Sequence, residues 1–251
     1  PFSVSEEEYE PSRIPSLYEM VLASVMDKLP ETSDYTAIQL VLELQVDVPL
    51  LPGGSNILQF ASKKRKVDLM RVAINSRRFD VNAVYDMGFT ALHLVCYATE
   101  NPEMVVDAAK LLVESGANIN ALDAQNLTPL HYAVEKSNFE LVEYFLSVGA
   151  QTEFKDSILR LAMRSSTDSR IVKALIKKNP RLLDTFEGFL SFASLKRMVD
   201  LMRIAIDSGK FDVNKVDNYG YSSLHWVCAG TGNPQMAVEA AKLLLENGAN
   251  I

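Results

Sequence analysis

The sequence is poor in the side chains that chemistry most often uses. Its 251 residues include three histidines, two cysteines and one tryptophan. Cys96 and Cys228 are too few to build a disulfide framework or a thiolate metal site, and they fit a reducing compartment. An intracellular, cytoplasmic location is therefore expected. No apolar run approaches the roughly 20 residues that span a bilayer, so no membrane insertion is expected. No phosphate-cradling glycine loop, Gly-x-Ser-x-Gly elbow or His-Glu-x-x-His occurs. Gly53-Gly54 reads as a plain turn, and Glu135 and Glu140 fall on solvated helix positions. Neither a catalytic centre nor a cofactor or metal site is expected. The chain starts at Pro1 and shows no signal peptide, which suggests a trimmed fragment.

What is present is the composition of a folded protein, 48% hydrophobic and 23% charged. The net charge of −7 is uneven. Residues 1–50 carry ten acidic and two basic residues, so the rest of the chain is nearly neutral. A neutral body gives no reason to expect nucleic acid as a partner. Residues 1–15 read as an acidic flexible arm, with Glu6 to Glu10 between prolines. Ser16 and Glu19 form a capping box for a helix whose apolar face runs through Leu17, Met20, Val21 and Val25, and Pro30 ends it. A second helix is expected from about Thr36 to Gln45, so 16–52 reads as an N-terminal helical capping region.

From residue 53 the chain repeats itself. The segment from Phe60 to Ile119 returns as Phe192 to Ile251 at a constant offset of 132, with 38 of 60 aligned positions identical. Within it lie shorter echoes: Gly88-Phe-Thr-Ala-Leu-His93, Asn126-Leu-Thr-Pro-Leu-His131 and Gly220-Tyr-Ser-Ser-Leu-His225. These hold all three histidines. The slot two residues after each His is filled by Ala61, Val95, Ala133, Ala162, Ala193 and Val227, at spacings near 33. Apolar runs ending in Gly116-Ala, Gly149-Ala and Gly248-Ala follow, where a left-handed residue is needed to end a helix.

These motifs resemble the ankyrin repeat. The fullest match is Asp123-Ala-Gln-Asn-Leu-Thr-Pro-Leu-His-Tyr-Ala133 with Asn138-Phe-Glu-Leu-Val-Glu-Tyr-Phe-Leu-Ser-Val-Gly-Ala150. The resemblance implies an all-α solenoid of stacked helix-turn-helix units with hairpin loops, capped by the N-terminal helices. It implies six repeats, about 53–81, 82–119, 120–152, 153–184, 185–213 and 214–251, truncated or continuing past 251. The second and sixth carry extra residues around Asn101-Pro102 and Asn233-Pro234, which predict a longer second helix or a bulged inter-helix loop. The first, fourth and fifth lack the His.

Thr90, Thr128 and Ser222 are expected to cap the first helices, and His93, His131 and His225 to bond their own or a neighbouring hairpin. The three imidazoles line up along a stack instead of converging on a point. Cys96 and Cys228 read as buried small residues. Lys63-Lys-Arg-Lys66 is either a solvated inter-helix turn or a nuclear import signal.

The resemblance further implies a non-catalytic scaffold or adaptor that binds a protein or peptide on a concave strip of hairpin tips and first helices. Carried onto this sequence, that strip includes Tyr85, Met87, Phe89, Tyr97, Leu127, Glu135, Lys136, Phe154, Arg164, Tyr219 and Tyr221. Two other readings stay open. Residues 16–25 faintly resemble the elongin-binding box of ubiquitin-ligase receptors, with Val21 where that pattern has Cys, which would make the chain a substrate receptor with a ligase subunit as partner. Alternatively, the repeats are the targeting domain of a larger enzyme or channel.

Overall fold

The computed structural model describes Tyr35, residues 38–39, 56–99, 101–153, 158–165, 168–230 and 234–251. The acidic arm, the helix expected over 16–29, Gly53-Gly54 and Phe154 lie outside the described residues. Of the expected capping region, the backbone amide of Gln39 donates to the Tyr35 carbonyl at 2.9 Å, and Ile38 and Gln39 are helical.

The described residues contain no strand. From residue 56 on they form twelve α-helices in six pairs. The first helices of the pairs are α1 (Ile57–Lys64), α3 (Ala91–Tyr97), α5 (Pro129–Glu135), α7 (Ile158–Ser165), α9 (Phe189–Leu195) and α11 (Ser223–Ala229). The second helices are α2 (Val67–Asn75), α4 (Val105–Glu114), α6 (Phe139–Ser147), α8 (Ser169–Lys178), α10 (Val199–Asp207) and α12 (Pro234–Glu246). A 3₁₀ turn, Pro102–Met104, leads into α4, whereas α12 runs unbroken for 13 residues. The extra residues thus lengthen the second helix in the sixth repeat, whereas in the second, where α4 has 10 residues like α8, they form the turn ahead of it.

Helices this short are marginal in water, and packing holds them. The chain divides into two compact units, Pro1–Ala117 and Asn118–Ile251. Within the first, α1 packs on α2 and on α3, and α2 on α4. Within the second, first helices contact first helices (α5 to α7 to α9 to α11), and second helices contact second helices (α6 to α8 to α10 to α12). The second helices are amphipathic: Val67, Leu69, Met70 and Ala73 of α2 are buried while Asp68 and Arg71 face water. Leu92, Leu130, Leu159 and Leu190 are buried from the first helices, and Leu112, Phe145, Leu175 and Leu244 from the second. Leu224, the equivalent of Leu92, is half-buried. Each full burial stabilises by about 1.5–3 kcal/mol. Gly116, Gly149 and Gly248 take φ of 91°, 92° and 88° after α4, α6 and α12, the left-handed exit that a side chain resists.

An arginine in the turn between paired helices ties one repeat to the next. Arg65 has φ 52° and is buried; its Nε donates to the Val95 carbonyl at 2.9 Å and its guanidinium to the Ala98 carbonyl at 2.5 Å. These are end carbonyls of α3. The duplicate repeats it: Arg197, φ 54°, donates from Nε to the Val227 carbonyl at 3.2 Å and also to the Gly230 carbonyl. A planar fork spans two orphan carbonyls three residues apart and carries the charge that a helix C-terminus favours. Lys66 is buried as well. Of the Lys63–Lys66 run, Lys63 and Lys64 therefore end α1 and only Arg65 and Lys66 form the inter-helix turn, which is buried and not solvated.

Asparagines link the hairpin bases. Asn82 Nδ2 donates to the Gly116 carbonyl at 3.0 Å in the first unit. In the second unit, Asn214 Nδ2 donates to the Gly248 carbonyl at 2.8 Å, and Asn120 Oδ1 accepts the Gln151 amide at 2.9 Å.

Candidate functional site

Every first helix that carries a histidine starts with the same device. The Thr90 amide donates to His93 Nδ1 at 3.2 Å, with the Thr90 hydroxyl 2.9 Å from the same nitrogen. Thr128 with His131, and Ser222 with His225, repeat it. A backbone amide can only donate, so Nδ1 is the acceptor and the ring proton sits on Nε2. In α1 the pair is Asn56 and Gln59: the Asn56 amide donates to Gln59 Oε1 at 3.0 Å, and Asn56 Oδ1 accepts the Gln59 amide at 2.8 Å. The amide of Gln59 thus does what the imidazole does elsewhere. His93 and His131 are buried and His225 is exposed. Among the described residues no three His, Cys, Asp or Glu side chains come together as a metal ion needs.

Cys96 is buried, which pushes its thiol far up, with Arg65 opposing more weakly. That thiol is no nucleophile at neutral pH. Cys228 was expected to be buried too. It is instead exposed, like its neighbour His225 and unlike their duplicates Cys96 and His93.

The hairpin tips hold the remaining polar chemistry. Asp123 accepts the amides of Gln125 and Leu127 at 2.8 and 2.9 Å and the Tyr132 hydroxyl at 2.6 Å. Asp217 accepts the amides of Tyr219 and Tyr221 at 2.8 and 3.0 Å and the Trp226 indole N–H at 3.0 Å. Partial burial raises the Asp217 carboxyl, but the N–H groups of Tyr221, Tyr219 and Trp226 outweigh it and hold it below the usual carboxylate value. In the first unit Tyr85 stands where Asp217 does, and the tip closes through the Tyr85 amide on the Phe89 carbonyl at 2.7 Å.

The expected binding residues separate into groups. Met87 is 53% exposed and Tyr97 50%, both in the first unit, where Tyr85 is half-buried. Phe89 was expected on the surface and is only 9% exposed. Its ring stacks on His93 at 5.7 Å and meets Tyr97 at 5.5 Å, so it serves the repeat's own packing. In the second unit Glu135, Lys136 and Arg164 are exposed and Leu127 is half-buried. Tyr219 is 81% exposed and Tyr221 47%. Tyr221 stacks on His225 at 5.7 Å and stands edge-on to Trp226 at 5.4 Å.

Sequence reasoning missed Val84 and Val216, which are exposed at the equivalent tips. It also missed the two arginine clips. A signal for the clips was there: Lys63 and Lys66 change to Leu195 and Met198 in the duplicate, while Arg65 is kept as Arg197.

Six helix pairs, four of them opened by the same reciprocal cap, define a repeat protein of the ankyrin type. The family description "Ankyrin repeats (3 copies)" matches residues 31–156, half of the chain, and the chain belongs to that family. A putative ankyrin repeat protein of Acanthamoeba polyphaga mimivirus is 33% identical over 103 residues, which is 41% of this chain and 13% of that protein. One from fowlpox virus is 29% identical over 166 residues, 64% of this chain and 24% of that protein. Human neurogenic locus notch homolog protein 1 is 30% identical over 186 residues, 68% of this chain and 7% of that protein. The chain thus spans a quarter or less of the length of these relatives. Among solved structures, the ankyrin repeat domain of Bcl-3 superposes with a TM-score of 0.63 at 18% identity, covering 89% of this chain and 96% of that one. The human ASB11 ankyrin repeat domain gives 0.57 at 22%, covering 78% and 85%. The fold is an all-α ankyrin-repeat solenoid. Ankyrin repeats are generally protein–protein interaction modules, and no described helix is long and apolar enough to cross a membrane.

Proposed function

We propose that the chain is a non-catalytic scaffold or adaptor that takes a partner protein or peptide on its hairpin tips and on the exposed side of its first helices. One observation carries this reading. Apolar side chains stand in water at two equivalent tip places, Val84 and Met87 in the first unit and Val216 and Tyr219 in the second, with Tyr97 and Tyr221 exposed nearby at places that do not correspond. Exposed aromatic and methionine side chains in such clusters are the usual anchors of an interface. Met87 adds a second sign. It holds a left-handed backbone, φ 57°, that costs a non-glycine residue about 1–2 kcal/mol. Leu127, Glu135, Lys136 and Arg164 extend the proposed surface, and Phe89 is withdrawn from it.

A second reading, a targeting module within a longer polypeptide, is favoured by the length of the relatives. The ligase-receptor reading rests on residues 16–25 alone. A cytoplasmic location fits the two free cysteines. Nuclear import through Lys63–Lys66 draws no support from a run in which Arg65 and Lys66 are buried.

The test is affinity capture with the intact chain and two variants, Met87→Ser with Tyr97→Ser and Tyr219→Ser with Tyr221→Ser. At least one variant is expected to lose a captured protein while keeping the helical content and melting temperature of the parent. Retention of every captured protein by both variants would refute the reading.

A further inference from the structure

Across the 132-residue duplication the helices repeat, but one space does not. In the first copy Gln59 crosses from α1 to the next hairpin: besides bonding Asn56, its Nε2 donates to the Ala83 carbonyl at 3.4 Å, and the side chain is 5% exposed. The second copy places Gly188, Ser191 and Lys215 where Asn56, Gln59 and Ala83 stand. Glycine supplies no side-chain cap and serine is too short to cross. A cavity of about 610 Å³ lies open at this place, between residues 183–191 and the hairpin 210–218. Leu183, Leu190, Phe211 and Val216 contribute an apolar part to its lining.

The rim is charged and unbalanced. Asp184, Glu187, Asp212 and Asp217 line it against two amines, Lys210 and Lys215. Lys210 pairs with Asp184 at 2.6 Å, and Lys215 pairs with Glu187. Among the described residues neither Asp212 nor Asp217 has a cationic partner, so a surplus of two negative charges faces the opening. Apolar and carboxylate side chains in one groove suit a side chain with an aliphatic stem and a cationic head. The volume lies within the range of specific ligand sites.

We propose that this groove takes a lysine or arginine side chain from an extended segment of a partner protein. The inference rests on the protein-binding reading above and names the chemistry of one partner segment. The Gln59 arrangement also supplies the test, because Ser191→Gln puts into the second copy the side chain that fills this space in the first. Asp184→Asn with Glu187→Gln removes the charge surplus at two exposed positions, and folding is expected to be indifferent to it.

Random 12-residue peptides displayed on phage would be selected on the intact chain, and the winners resynthesised for fluorescence anisotropy. The winners are expected to share a Lys or Arg. Their affinity should fall about tenfold or more in Ser191→Gln and in the charge variant, at unchanged melting temperature, and should weaken with added salt. The groove proposal is overturned by winners without a cationic residue, or by winners indifferent to Ser191→Gln. If such winners are instead lost in the Met87/Tyr97 or Tyr219/Tyr221 variants, the protein-binding reading stands and the groove alone falls. If no peptide is enriched, the groove proposal falls as well, while affinity capture still tests the broader reading.

Discussion

Three imidazoles in a chain with so few reactive side chains invite a catalytic reading, and each turns out to be a cap. His131 Nδ1 accepts the Thr128 amide, which occupies the one lone pair that a base or ligand needs at that nitrogen. Gln59 makes the matching bond to Asn56 in α1. His131→Gln should therefore keep most of the stability that His131→Ala loses, with a cap worth about 1 kcal/mol. Urea denaturation of the two variants checks this; equal losses would mean that the ring's packing matters and its acceptor does not. Asp217 is the second residue-scale device. Its carboxyl titrates below the usual value in the folded chain, so the contribution of its three N–H bonds is complete above about pH 3.9, the ordinary carboxylate value. It disappears as pH falls through the lower, folded value. Trp226, the one tryptophan, reports on it directly. Its fluorescence should change over this acid range in the parent and stay flatter in Asp217→Asn. Superimposable acid profiles would remove Asp217 from the account.

At the scale of elements, six short first helices are placed by what touches their ends. A reciprocal cap sets the start of α1, α3, α5 and α11, and in α3 and α11 an arginine from the preceding inter-helix turn closes the finish. Arg197→Ala should cost about 2 kcal/mol, the range for hydrogen bonds from a charged donor, and lower the melting temperature by several degrees. Arg197→Lys should rescue little, since a single ammonium has no fork to span the Val227 and Gly230 carbonyls. Full rescue by lysine, measured by calorimetry, would reduce the clip to a simple charge effect.

At the scale of the molecule, neighbour-only packing predicts how stability spreads. In the second unit each helix meets its own partner and the adjacent pairs, so unfolding free energy is a sum of local and nearest-neighbour parts. Leu244→Ala, at a fully buried position of α12, should cost about 2–5 kcal/mol. Hydrogen exchange should show α11 and α12 losing protection while α5 and α6 keep theirs. Uniform loss from α5 to α12 would show that the unit opens as one piece. The duplication makes a second point at this scale. It copies helices, cap, clip and Asn link, and it varies the tips and the groove: Tyr85 against Asp217, Met87 against Tyr219, Gln59 against Ser191. What repeats holds the fold, and what differs falls on the surface proposed for partner binding.

The sequence by itself determined the repeat, the helix pairs, their caps and their glycine exits. The helix pairs, caps and exits depend on residues three to five apart and the repeat on those same spacings recurring along the chain, and both are fully present in a sequence. The apolar slots at Ala61, Val95, Ala133 and their kin were legible for the same reason. Which face of a side chain meets water was not. Phe89 and Tyr221 occupy one slot of the duplicate, yet one is covered and the other half exposed, and Cys96 and Cys228 divide the same way. Arg65 looked like one charge in a solvated run until its carbonyl partners, 30 and 33 residues on, came within reach. Burial and long-range pairing arise only when distant segments are packed together, so tertiary structure alone decided which tips remain available to a partner and where the groove beside Ser191 stays open.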